Sequence, residues 1–178
     1  TGTAHGGVVM ADGSLAQIKI DFDVLRDLSN VARDEYGMAG AVQHGASTLP
    51  DELFHRFPEV ETAEIHLATG FQNMMMDNPR FPADLLAEMH RYSNTELANE
   101  RSDGETDLQF FYKTRKKAWG PFKQQTWDMP AEIRAELGNE LQAKFEFLIR
   151  QLKANDTREI TLKHVEQRVV EMEPPKLG

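Results

Sequence analysis

The segment from residue 20 to residue 76 alternates between helix-like and strand-like patterns, and this alternation most restricts the possible folds. Apolar residues recur at helical spacing after Asp21 or Asp23, either of which can cap the start of a helix. Residues 38–42 and 62–69 are short runs typical of buried parallel strands. Because strands that alternate with helices usually pair in parallel, the sequence predicts an α/β fold with a parallel sheet.

Two polar stretches follow the predicted strands. His44 comes soon after the first strand, and residues 66–69 close the second. The functional groups of a parallel sheet gather where its strands end, at the carboxyl edge. We therefore expect His44 and the stretch that begins at His66 to lie at such an edge.

The second half of the chain reads as mostly helical. Lys113–Lys117 is basic, and its default interpretation is a solvated face, with a phosphate or partner contact as the alternative. His90 and His164 are predicted to lie on exposed helix faces. Helices are predicted over residues 82–91, 130–153 and 160–172, with a polar loop over 95–106.

Composition excludes several classes of protein. The chain has 178 residues and no cysteine, so disulfides, thiolate metal sites and cysteine nucleophiles are excluded, and a cytoplasmic location is expected. Its net charge of −9 makes it a poor general binder of nucleic acid. It contains no apolar run of about 18–20 residues, which predicts that no segment crosses a membrane. Residues 1–5 do not read as the start of a signal peptide.

Two histidines are each followed by glycine, as His5-Gly6 and His44-Gly45. An imidazole can bind a metal, and the unshielded backbone at glycine can approach an anion. Each pair is equally compatible with a simple turn that carries a solvated histidine, so both interpretations stay open at the level of these residues.

Four motifs occur in one order: Gly2-Thr3-Ala4-His5-Gly6, then residues 19–23, Val42-Gln43-His44-Gly45-Ala46-Ser47, and Ile65-His66-Leu67-Ala68-Thr69. Together they resemble the C-terminal half of class II, metal-dependent fructose-bisphosphate aldolases. The resemblance covers residues 1–80 and extends more weakly to 113–123.

That resemblance implies a fold. Residues 1–92 are expected to form the C-terminal β/α units of a TIM (β/α)₈ barrel, and residues 93–178 a helical C-terminal arm. A complete barrel needs roughly 200–250 residues, so the resemblance also implies that an N-terminal half lies outside this sequence.

The resemblance further implies a zinc site. His5 and His44 match two of the family's three zinc-ligating histidines, and no counterpart of the third histidine or of the catalytic aspartate occurs in this sequence. His66 stands where the family usually has an asparagine that binds the enediolate oxygen, and Ala68 stands where it has an aspartate. His66 is therefore expected to act in catalysis through a similar hydrogen bond, or to be an additional metal ligand.

The family's phosphate cradle is matched as well. Backbone N–H groups and hydroxyls there hold a phosphate dianion, and an arginine of the arm reaches the sugar's other phosphate across a dimer. The resemblance also implies a monovalent cation near these backbone carbonyls. The matching residues are Gly6, Gly45, Ser47, Thr69 and Arg115.

These matches predict part of an enzyme that reversibly cleaves a ketose bisphosphate, with fructose 1,6-bisphosphate favoured, to dihydroxyacetone phosphate and an aldehyde. Homo-oligomers and association with the absent N-terminal half are expected, and the chain alone is expected to be inactive. Two alternatives stay open: a non-catalytic sugar-phosphate-binding or assembly module, and an aldolase for tagatose bisphosphate or a related ketose.

Overall fold

A computed structural model describes residues 9–14, 16, 20–46 and 49–171. In these residues the chain forms eight α-helices, two single 3₁₀ turns and two short strands. In chain order they are α1 (Phe22–Asp34), β1 (Val42–Gln43), a 3₁₀ turn (Asp51–Leu53), α2 (Arg56–Glu59), β2 (Glu64–Ile65), α3 (Thr69–Met76), α4 (Ala83–Glu96), a 3₁₀ turn (Ala98–Glu100), α5 (Asp107–Ala118), α6 (Lys123–Trp127), α7 (Ala131–Gln151) and α8 (Arg158–His164).

The two strands pair in parallel, as predicted for this region. Val42 is aligned with Glu64, and Gln43 with Ile65. The backbone N–H of His66 donates to the carbonyl of Gln43 at 2.9 Å. The connection between the strands runs through the first 3₁₀ turn and α2, so it is a short helical crossover.

The expectation of a TIM-barrel part is wrong. The described residues are predominantly helical and hold only two strands of two residues each, whereas part of a barrel needs several longer strands. The physical reason lies in burial, because barrel strands are covered on both faces. Here Met38, Val42 and Glu64 are exposed, and Thr69 leaves the predicted second strand to start α3.

Local side-chain chemistry explains where the helices begin and end. The Asp21 carboxylate accepts hydrogen bonds from the N–H groups of Asp23 and Val24, both at 3.1 Å, and so caps α1. The chain leaves α1 at Gly37, whose φ of +63° suits glycine. None of the helices in the described part of the chain has the combined length and apolarity that a membrane crossing needs.

Two hydrophobic cores hold the helices together, and α7 reaches both. The first core surrounds Phe57 and receives Leu148 from α7, while the second surrounds Met89 and receives Leu137. These two leucines are eleven residues apart, which is about 16 Å along a helix. Each core combines residues from both sides of residue 92, the predicted boundary between the β/α units and the arm.

Candidate functional site

The carboxyl ends of the two strands bring two histidines together. His44 directly follows β1 and His66 directly follows β2, so the register that aligns Gln43 with Ile65 also aligns the histidines. Their ring centroids are 4.3 Å apart, and the ring planes are inclined by 33°. The structure thus places two imidazoles side by side at one edge of the strand pair.

The residues before and after His44 fix the path of the backbone there. The Gln43 side chain is buried, with 3% of the residue exposed, and its Nε2 donates to the carbonyl of His44 at 2.5 Å. Gly45 follows with a φ of +76°, a conformation that L side chains rarely adopt. Ala46 is then fully buried in the first core. The chain therefore needs glycine at 45 to turn from the strand into the core, and His44 is left exposed at the turn.

A carboxylate orients His66. Its Nε2 contacts the Oε1 of Glu64, and both side chains are half-exposed. A carboxylate that faces one ring nitrogen holds the proton there and fixes the tautomer. With the proton on Nε2, Nδ1 of His66 would be the ring nitrogen left to bind a cation.

A metal at this edge would find two imidazole donors. Neutral imidazole nitrogen is a common zinc ligand, and a carboxylate behind a ligating histidine is the usual outer support. Within residues 9–14, 16, 20–46 and 49–171 no group of three or more His, Asp or Glu side chains is placed to hold a metal ion. The predicted ligand His5 and the predicted phosphate residues Gly6 and Ser47 lie outside the described residues.

Two other predicted residues meet at a cavity of about 360 Å³, which we call the anion cavity. Thr69 is the first residue of α3 and Arg115 is on α5, and both line it. Lys113, Lys116 and Glu105 line the same cavity. Lys113 is paired with Glu105 and Arg115 with Asp77, so Lys116 leaves an excess of one positive charge, which favours an anionic ligand.

Arg115 is the most constrained of these cations, with 12% of its side chain exposed. Its Nη1 lies 2.6 Å from the Oδ1 of Asp77, and its Nη2 donates to the Oδ1 of Asn73. The guanidinium lies 4.5 Å from the centroid of the Tyr112 ring, and the Tyr112 hydroxyl accepts from Asn73 at 3.0 Å. These contacts orient Arg115 before any ligand arrives.

The two lysines of the anion cavity differ in their partners. The Nζ of Lys113 lies 2.7 Å from the Oε2 of Glu105 and 2.7 Å from the carbonyl of Glu100. The hydrogen bond from Lys113, followed by that from the N–H of Ser102, lowers the pKa of Glu105. Lys116 is exposed, and no residue of the described part of the chain hydrogen-bonds to it or neutralises it. Lys116 is thus the cation most available to an anionic ligand.

The histidine pair and the anion cavity are joined by a short piece of chain. His66 and Thr69 are three residues apart, so their Cα atoms are at most about 11 Å from each other. The structure therefore brings His44 together with His66 and Thr69 together with Arg115, and the chain itself keeps the two pairs close.

Sequence reasoning missed a second cavity, of about 410 Å³, which we call the aromatic cavity. It is lined by Leu86, His90, Leu108 and Phe111, and it shares Val9, Asn73, Tyr112 and Arg115 with the anion cavity. His90, predicted to be exposed, instead stacks on Phe111 with ring centroids 4.0 Å apart and planes 7° apart. Burial, and then the charge of Arg115, lower the pKa of His90.

Comparison of the chain with protein-family models, with curated proteins and with solved structures found no match. Function is therefore inferred from this chain's own residues and their geometry.

Proposed function

We propose that this chain provides metal- and phosphate-binding residues of a zinc-dependent aldolase, which reversibly cleaves a ketose bisphosphate to dihydroxyacetone phosphate and an aldehyde. The observation that carries the proposal is the juxtaposition of His44 and His66, 4.3 Å apart between ring centroids, at the ends of two paired parallel strands. The motifs that resemble class II aldolases favour fructose 1,6-bisphosphate as the substrate.

In this proposal His44 and His66 hold zinc together with His5. Zinc in such a site acts as a Lewis acid that polarises the ketone of the substrate. Since Glu64 faces Nε2 of His66, Nδ1 would be the nitrogen that binds the metal. This arrangement favours the ligand role of His66 over that of a hydrogen-bond donor.

The anion cavity then takes a phosphate group of the sugar. The Thr69 hydroxyl can donate to a phosphate oxygen, and Lys116 adds a charge that no described residue neutralises. Arg115 needs no reorganisation to present its guanidinium, because Asp77 and Asn73 already hold it. The short link between His66 and Thr69 would keep the phosphate near the metal-binding histidines.

We further propose that the protein works in the cytoplasm as a homo-oligomer. The absence of cysteine is the support for the compartment. Large apolar side chains that are exposed on α1, α6 and the C-terminal segment support association with further protein, for example Leu28, Trp127 and Val169.

Zinc binding by single variants tests the metal site. The chain is equilibrated with excess zinc, dialysed and analysed for bound metal, first as the wild type and then as His44→Ala and His66→Ala. His55→Ala is the matched control, because His55 is a half-exposed histidine that directly precedes α2 and faces Glu59. The proposal predicts about one zinc per chain, lost in both test variants and kept in the control. Equal zinc in all four proteins would refute these ligands.

Turnover separates the aldolase from the non-catalytic alternative. Cleavage of fructose 1,6-bisphosphate and of tagatose 1,6-bisphosphate is measured with zinc and with a chelator present. Zinc-dependent cleavage that His44→Ala abolishes supports the aldolase. Tight binding of sugar phosphates without cleavage selects the binding module instead.

A further inference from the structure

The two cavities lie side by side along α5. Residues 109, 112, 113, 115 and 116 line the anion cavity, and residues 108, 111, 112 and 115 line the aromatic cavity. These positions lie on neighbouring stripes of one helix. Because Tyr112 and Arg115, together with Val9 and Asn73, line both cavities, the cavities are adjacent.

The aromatic cavity offers a different surface from the anion cavity. His90 and Phe111 form a flat stacked pair, and Leu86 and Leu108 add apolar walls. The lowered pKa of His90 keeps its ring neutral at pH 7, so this wall adds no charge. Arg115 and Asp77, which also line this cavity, form an ion pair with each other.

We propose that one ligand occupies both cavities: a phosphate monoester whose other end is an aromatic ring. Its phosphate lies at Thr69 and Lys116, and its ring lies against Phe111 and Leu108. The excess positive charge selects the anionic end, and the apolar and aromatic walls select the ring. Each cavity has a volume in the usual range for a small-molecule site, about 300–1,000 Å³.

This inference goes beyond the proposed aldolase, because a ketose bisphosphate has no aromatic ring and the site uses neither the histidine pair nor a metal. The aromatic phosphate occupies the same Thr69 and Lys116 region that the sugar phosphate needs. It would therefore act as a competitive regulator of sugar-phosphate binding.

The first test compares three probes by calorimetry in the presence of a metal chelator: phenyl phosphate, inorganic phosphate and phenol. Because both ends contribute, we expect phenyl phosphate to bind at least about ten-fold more tightly than either of the other probes. If phenyl phosphate bound no more tightly than inorganic phosphate, the aromatic end of the site would be disproved.

Two variants assign the ends of the ligand. Leu108 is 58% exposed, so Leu108→Ala leaves the cores intact, and we expect about a five-fold loss for phenyl phosphate with no change for inorganic phosphate. Lys116→Ala should weaken both phosphates by about five-fold or more. Leu162→Ala and Lys163→Ala, on the exposed helix α8, are the matched controls and should change neither affinity. Losses in the control variants as large as in the test variants would overturn the assignment.

Two further measurements test whether the site is independent of the zinc ligands and whether the ring position holds in the wild-type protein. The double variant His44→Ala/His66→Ala should bind phenyl phosphate as the wild type does, and a loss there would contradict a metal-independent site. In the wild-type protein, nuclear Overhauser contacts are expected between the probe's ring protons and the side chains of Phe111 and Leu108. Contacts to other residues alone would place the ring elsewhere and refute the proposal.

Discussion

The same substitution, glycine to alanine, should have opposite effects at two positions of this fold. Gly138 lies inside α7, and a Cβ added there would meet no atom within 4 Å. Gly40 precedes β1 with a φ of +142°, and a Cβ added there would lie 3.2 Å from each of three atoms. These are Cβ of Ala63, the carbonyl oxygen of Glu61 and Nη1 of Arg33.

The magnitudes follow from these surroundings. In a helix interior alanine is favoured over glycine by about 0.8–1.0 kcal/mol, so Gly138→Ala should raise the free energy of unfolding by about that amount. At Gly40 the backbone conformation alone costs an L residue about 1–3 kcal/mol. The close atoms add to this cost, because one belongs to the backbone and Arg33 is already committed to Glu61, whose carbonyl accepts its hydrogen bond at 3.0 Å.

Urea unfolding followed by far-ultraviolet circular dichroism measures both effects. With a slope of about 2 kcal/mol per molar urea, Gly138→Ala should move the midpoint up by about 0.4–0.5 M. Gly40→Ala should move it down by about 0.5–1.5 M or more. Unchanged slopes would show that the change lies in stability and not in the extent of unfolding. A lower midpoint for Gly138→Ala, or an unchanged one for Gly40→Ala, would refute the described backbone.

Three further outcomes are expected. Leu148 is 4% exposed, whereas Ile149 is 45% exposed. In urea unfolding, Leu148→Ala should therefore lower the free energy of unfolding by about 2–5 kcal/mol, and Ile149→Ala by less than about 1 kcal/mol. Equal losses would contradict the packing of α7. Burial, and then the charge of Arg115, lower the pKa of His90 in the folded state. The unfolded chain therefore binds a proton at His90 more readily than the folded chain does. Stability should consequently fall as the pH drops below about 6.5, the pKa of an unfolded histidine. His90→Phe keeps a flat ring and should reduce that loss between pH 7.5 and 5.5, whereas an unchanged loss would exclude His90 as its source. Thr106→Ala removes the hydroxyl that caps α5 and should lower the free energy of unfolding by about 1 kcal/mol, whereas Thr106→Ser should be as stable as the wild type. An unchanged urea midpoint for Thr106→Ala would contradict the cap.

Elements with a strong local signal were predictable from the sequence. The helix predicted over 130–153 is α7, and Asp21, one of the two candidate caps, caps α1. The strands were predictable in place and direction but not in length, because pairing partners and cover come from distant parts of the chain. The barrel prediction was wrong for this reason: small apolar residues satisfy a strand pattern, yet the stretch at 38–42 contributes only Val42 to β1. Lys113–Lys117 was interpreted as a basic face, and it forms the C-terminal part of α5.

The contacts of the candidate site also differ in how far the sequence predicts them. Parallel strand ends meet at one edge, so the proximity of His44 and His66 was a consequence of the strand pattern. The meeting of Thr69 and Arg115 depends on the packing of α3 against α5, for which the sequence carries no local signal. The stack of His90 on Phe111 was missed because it needs two helices whose relative rotation is set by the second core.

The histidine pair depends on strand register more than on strand length. A slip of one residue would set His44 beside a neighbour of His66 and, since successive strand residues point to opposite faces, would separate the two rings. Gly40 permits this register, because a Cβ at residue 40 would lie only 3.2 Å from the Cβ of Ala63, whose N–H donates to the carbonyl of Ala41 at 3.0 Å. Gly40→Ala should therefore weaken zinc binding by the histidine pair as well as stability, although residue 40 is not one of the ligands. Full zinc affinity in a destabilised Gly40→Ala protein, measured under conditions in which it is folded, would show that the register has another determinant.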